Sequence, residues 1–162
     1  MKKVYLYPLT AKTRNSVINP YVSNLKEALR SNFDVINAEK PSNSGIFDII
    51  KYLRKVDVVY FNWCEEVPEN SMGRIQGFFL LLLLQYLKRS PILIIWTLHN
   101  KSSHYSAYRR LKKMLYNQML TKSDLIITHA KEGLDLIPEG KTAFFHHHPL
   151  NNSLVKPGKQ NE

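Results

Sequence analysis

The run Ile92-Leu93-Ile94-Ile95-Trp96-Thr97-Leu98 constrains this chain more than any other segment, because seven consecutive apolar or β-branched side chains leave no polar face to turn toward water. Such a run reads as a strand covered on both sides, the signature of a parallel sheet. It stops abruptly at His99-Asn100 and gives way to the polar stretch Lys101-Ser102-Ser103-His104. Open α/β sheets bind ligands outside the carboxyl ends of their strands. A histidine at that position is therefore placed to meet a substrate. The competing reading is a ring that only caps the strand end or bonds the backbone, since apolar strands commonly finish in polar residues.

The rest of the chain repeats the pattern. Strand-like runs are expected at Lys3–Tyr7, Phe33–Asn37, Asp57–Phe61, Ile92–Thr97, Asp124–Thr128 and Thr142–Phe145. Helices are expected between them at Pro20–Ser31, Ile46–Arg54, Ser71–Arg89, Ser106–Lys122 and Lys131–Leu136. Pro20 suits a first helical position, with Tyr21, Leu25, Ala28 and Leu29 on one stripe. Tyr108, Leu111, Leu115 and Met119 form the expected buried side of the fourth helix. Glu65, Glu66 and Glu69 before the third helix and Lys88-Arg89 at its end agree with the helix dipole. This alternation predicts one Rossmann-like, doubly wound parallel sheet of about six strands with helices on both faces. Residues 1–150 form that domain, and residues 151–162 read as a polar tail or the start of a linker.

At 162 residues and 44% hydrophobic, the chain can bury one sizeable core. The net charge of +10 points to an anionic partner: a phosphate-bearing substrate, a membrane surface or nucleic acid. Cys64 is the only cysteine, so no internal disulfide forms and a reducing cytoplasm is the expected compartment. The stretch Gly77–Leu84 is the most apolar, yet far short of the roughly 20 residues that span a bilayer. It reads first as a core helix, and second as one dipping into the membrane interface.

Several chemistries lack their residues. The loop Pro8–Ser16 holds no glycine, which argues against both a dinucleotide fingerprint and a phosphate-cradling P-loop. No cofactor is expected. No serine lies in a nucleophile-elbow context, and Cys64 has no evident histidine partner. His146-His147-His148 on a strand alternate between faces, so all three cannot converge on one metal ion. What remains is a set of polar residues at strand ends: Asn62 and Trp63, His99 and Asn100, His129, and His148. In a parallel sheet these share one rim. Singly each is ambiguous, since Trp63 also suits a core plug and His129 a helix cap.

Several segments together resemble a known family. They are Asn19-Pro20-Tyr21 with Leu25 and Leu29; Asp57-Val58-Val59-Tyr60-Phe61-Asn62-Trp63; Ile95-Trp96-Thr97-Leu98-His99-Asn100; Ser123-Asp124-Leu125-Ile126-Ile127-Thr128-His129; and Phe145 through Pro149. In this order they resemble the N-terminal, acceptor-side domain of GT-B glycosyltransferases, in particular the GT4-like bacterial enzymes that build cell-surface polysaccharides. The resemblance implies one half of a two-domain fold, with the nucleotide-sugar donor held mainly by the other half. It implies that His99 faces the interdomain cleft, where it binds sugar, orients the acceptor or takes a proton. An imidazole suits those tasks because it titrates near neutrality. Asn62, Trp63, Asn100, His129 and His148 would border the same cleft.

The family's donor-binding half has no counterpart in residues 1–162, so the expectation is a fragment, a split two-component enzyme or a remnant. A non-catalytic binding or scaffolding subunit of such a split enzyme is the alternative. Lys101, Arg109, Arg110, Lys112, Lys113 and Lys122 lie between residues 101 and 123 with no acidic residue among them. They are either a solvated helix face or a surface for an anionic, polyprenyl-linked glycan acceptor at the inner membrane face. A base near an anionic bilayer is worth about 1 kcal/mol. Nucleic acid is disfavoured, because the aromatics lie in core-like strands rather than among exposed lysines and arginines.

Overall fold

The computed structural model describes residues 1–9, 20–40, 44–99 and 108–147. Six strands form one all-parallel sheet: β1 (Lys3–Tyr7), β2 (Asp34–Val35), β3 (Val58–Asn62), β4 (Leu93–Leu98), β5 (Leu125–Thr128) and β6 (Ala143–Phe145). Their spatial order is β2-β1-β3-β4-β5-β6. Three α-helices accompany them: α1 (Pro20–Arg30), α2 (Gly73–Lys88) and α3 (Arg109–Lys122). The architecture is the expected Rossmann-like α/β sheet.

The winding is unequal on the two faces. Right-handed crossovers send the chain over one face when it steps from β1 to β2, and over the other face at every later step. So α1 is the one α-helix on its side among the described residues. There Tyr21 and Val22 pack on Val4, Leu6, Val35, Val58 and Tyr60. The opposite face carries the larger core. Tyr5, Phe61, Ile94 and Trp96 meet Leu80, Leu84 and Leu87 of α2 and Leu115 and Met119 of α3.

Departures from the expected elements have local causes. The segment expected as a strand over Phe33–Asn37 keeps only two strand residues. Beyond them the Asn37 side chain takes over, accepting from the Leu6 N–H at 3.1 Å and donating to the Leu6 carbonyl at 2.9 Å. Ile46–Arg54 and Lys131–Leu136 were expected as helices, and each holds a 3₁₀ helix, Gly45–Lys51 and Lys131–Leu136. Such short apolar spacings fit three residues per turn as well as 3.6. Tyr108 does not lie on the buried side of α3. It precedes the helix with φ +55° and is exposed, with the Arg74 guanidinium 5.0 Å from its ring centre.

The helices approach closely where glycine permits it. A Cβ on Gly73 would run into the carbonyl oxygen of Pro68, so the start of α2 is seated on the 3₁₀ helix Cys64–Glu69. A Cβ on Gly77 would stand 2.8 Å from the Leu111 Cδ2, where α2 meets α3.

Candidate functional site

In the strand order the chain leaves β1 toward β2 and then returns to the other side of β1 for β3, which makes the β1/β3 boundary the topological switch point. Asn62 ends β3 at that boundary, fully buried. Its amide nitrogen donates to the Tyr7 carbonyl of β1 at 3.4 Å, bridging the switch. That orientation turns Oδ1 the other way, toward His99 Nε2 at 3.2 Å. An amide oxygen only accepts, so His99 donates from Nε2. In the neutral ring the basic nitrogen is then Nδ1.

Register brings the second histidine alongside. Leu98 of β4 pairs with Thr128 of β5, and His99 and His129 each follow by one residue. Their ring centres lie 5.4 Å apart. Trp63, at φ +46°, takes a left-handed conformation that a bulky residue seldom adopts. Its indole stacks on His99 at 4.1 Å and 13° between planes. From α1, Tyr21 stands edge-on to all three rings, at 4.8 Å from His99, 5.3 Å from His129 and 5.6 Å from Trp63. Four segments thus meet in one half-buried aromatic cluster at the carboxyl rim, on the α1 side of the sheet.

Its hydrogen bonds set the second ring's proton. His129 Nδ1 faces the His146 carbonyl at 2.8 Å and must donate to it, so the neutral ring accepts at Nε2 from the Tyr21 hydroxyl, 3.1 Å away. Burial raises the pKa of the Tyr21 phenol, against the opposing hydrogen bonds with Thr97 and Tyr60. Tyr60 Oη and Thr97 Oγ1 are themselves 3.0 Å apart beneath the cluster. The amino-terminal, electropositive end of α1 lies at the same rim, with no acidic residue in its first turn.

Tyr21 and His129 also wall a cleft of about 670 Å³ that runs between α1 and strands β5 and β6 over Leu25, Tyr60, Ile127 and Phe144. That volume suits a small ligand, and a mostly apolar lining with a few fixed polar groups is the usual composition of such sites. Among the described residues no group of three His, Cys, Asp or Glu side chains gathers closely enough to hold a metal ion.

Of the residues singled out in the sequence, Asn62, Trp63, His99 and His129 come together here. Asn100, His148 and Lys101 lie outside the described residues. Tyr21, Tyr60 and Thr97 were not singled out as site residues, because Tyr21 reaches His129 across 108 residues and reads locally as helix packing.

The basic set divides. Arg109, Arg110 and Lys113 are exposed along α3. Lys112 is not a surface cation: it is 4% exposed, bonded to Glu69 and 3.8 Å from Glu66. Those two glutamates, expected to serve the dipole of α2, instead lock α3 onto the 3₁₀ helix Cys64–Glu69. Next to them Glu65 is buried, with no hydrogen-bond partner on another residue among the described residues. Burial foremost, then the neighbouring Glu66 charge, pushes its carboxyl up to about 7 against the pull of its own amide and Lys112.

Compared with protein-family models, with curated proteins and with solved structures, the chain matches none.

Proposed function

We propose that this chain is the acceptor-side domain of a glycosyltransferase, working with a separate donor-binding domain or subunit to move a sugar from a nucleotide onto a polysaccharide or lipid-linked glycan. The observation that supports this reading is the fixed His99 ring at the end of β4, bonded to Asn62 of the switch point. Asn62 holds its Nε2 proton and Trp63 holds its plane. A neutral imidazole with a basic Nδ1 is suited to accept the proton of an acceptor hydroxyl as that oxygen bonds the sugar's anomeric carbon and the nucleotide diphosphate departs. The aromatic faces around it offer a platform for a sugar ring, and the adjoining cleft has room for one.

A second reading, a non-catalytic binding subunit, draws support from His129, whose two ring nitrogens are both engaged within the protein. Transfer from a panel of nucleotide sugars, measured on the chain combined with candidate donor domains, separates the two. Under the first reading, His99→Ala lowers transfer about a hundredfold or more with unchanged far-UV circular dichroism. Under the second, it leaves transfer intact.

A further inference from the structure

The outer face of α2 is the most apolar exposed surface among the described residues. Ile75, Phe78, Leu82 and Tyr86 are 56%, 59%, 71% and 51% exposed. At spacings of three and four residues they form one continuous stripe, about 16 Å long at 1.5 Å per residue. The sequence suggested a core helix, yet only one side of α2 is core; Leu80, Leu83, Leu84 and Leu87 supply it. The stripe widens on both flanks. Phe79 packs on Phe47, 5.0 Å between ring centres, and Met114 on the adjoining α3 is half exposed. The two helices are tied by Gln85 donating to Gln118 at 2.8 Å, so they present one surface.

Charge gives that surface its partner. Neither α2 nor α3 contains an acidic residue. Lys88 is paired with Asp124 and Lys112 with Glu66 and Glu69. Arg109, Arg110 and Lys113 remain exposed and form no ion pair with a carboxylate among the described residues. A second copy of this chain is a poor occupant, because a self-complementary contact would set these cations against themselves with no acid on either helix. A stripe of roughly 160 Å², one helix wide, also falls well short of the ~800 Å² per partner of a stable protein interface. An anionic bilayer supplies both missing complements at once, hydrocarbon for the stripe and phosphate for the cations.

We propose that the α2 face, flanked by the basic side of α3, docks this protein onto anionic phospholipid membranes. No helix among the described residues is long and apolar enough to cross a bilayer, so the contact is a surface one. The inference stands on α2 and α3 alone and is independent of the sugar-transfer reading.

Vesicle sedimentation of the full chain tests it without any sugar nucleotide. Equimolar phosphatidylglycerol and phosphatidylcholine vesicles should bind it at low salt, and pure phosphatidylcholine at least tenfold more weakly. Phe78→Asp with Leu82→Asp should abolish binding. Arg109→Gln, Arg110→Gln and Lys113→Gln together should weaken it on the order of a hundredfold. All these side chains are exposed, and circular dichroism checks that each variant is folded. Failure to bind phosphatidylglycerol vesicles, or undiminished binding by the aspartate variant, would overturn the proposal. So would a wild-type dimer in sedimentation velocity that Leu82→Asp converts to monomer.

Discussion

Burial holds the Glu65 carboxyl above the usual range, because a carboxylate so deeply buried loses hydration that its own amide and Lys112 only partly replace. Its folded-state pKa of about 7 stands above the 4.5 of an unperturbed glutamate. Below 4.5 both states are protonated and the residue has no effect on folding. As pH rises toward 7 the unfolded chain releases the proton while the folded chain retains it, so stability falls across that window and levels off above it. The loss is on the order of 3 kcal/mol. Glu65→Gln should therefore flatten the decline and raise the midpoint of urea unfolding at pH 8. Parallel curves for the two proteins across pH 4 to 8 would count against this account. Lys112 teaches a related lesson. In the sequence it is one cation in a basic run, and only the fold brings it to Glu69, 43 residues away. Ionic partners at that separation leave no trace in local spacing, which is why a surface role was expected of it.

At the scale of elements, the strands were legible and the helical segments less so. A run such as Ile92–Leu98 has one sensible environment, whereas the apolar spacing over Ile46–Arg54 suits two helix types. The carboxyl-rim position of Asn62, His99 and His129 followed from strand ends alone. The conformation of Trp63 and the reach of Tyr21 did not, since the one is set in the turn from β3 into the 3₁₀ helix Cys64–Glu69 and the other by how α1 settles over the sheet. The α2 contacts give a ranked prediction. Gly73→Ala drives a methyl group into the Pro68 backbone, which cannot swing aside, and should cost about 1–3 kcal/mol. Gly77→Ala comes closest to the tip of Leu111, a flexible side chain, with the Pro68 ring in ordinary contact, and gains roughly 1 kcal/mol of helix propensity, so its net cost should be small. Urea denaturation of the two variants checks the order; equal losses would contradict it.

For the molecule as a whole, the unequal winding sets where the fold opens first. β3 and β4 lie inside the sheet, with Val59, Phe61, Ile94 and Trp96 fully buried, while β2 and β6 are short edges. Amide hydrogen exchange should be slowest in Val58–Asn62 and Ile94–Leu98 and fastest, among strands, in Asp34–Val35 and Ala143–Phe145. Uniform protection across all six strands would show that the two layers unfold as a single unit. The edge at β2 carries one more implication. Because the amide of Asn37 takes the main-chain groups of Leu6 that a longer β2 would pair with, a single carboxamide ends the edge strand at two residues, and so short an edge is a poor template for an extended peptide.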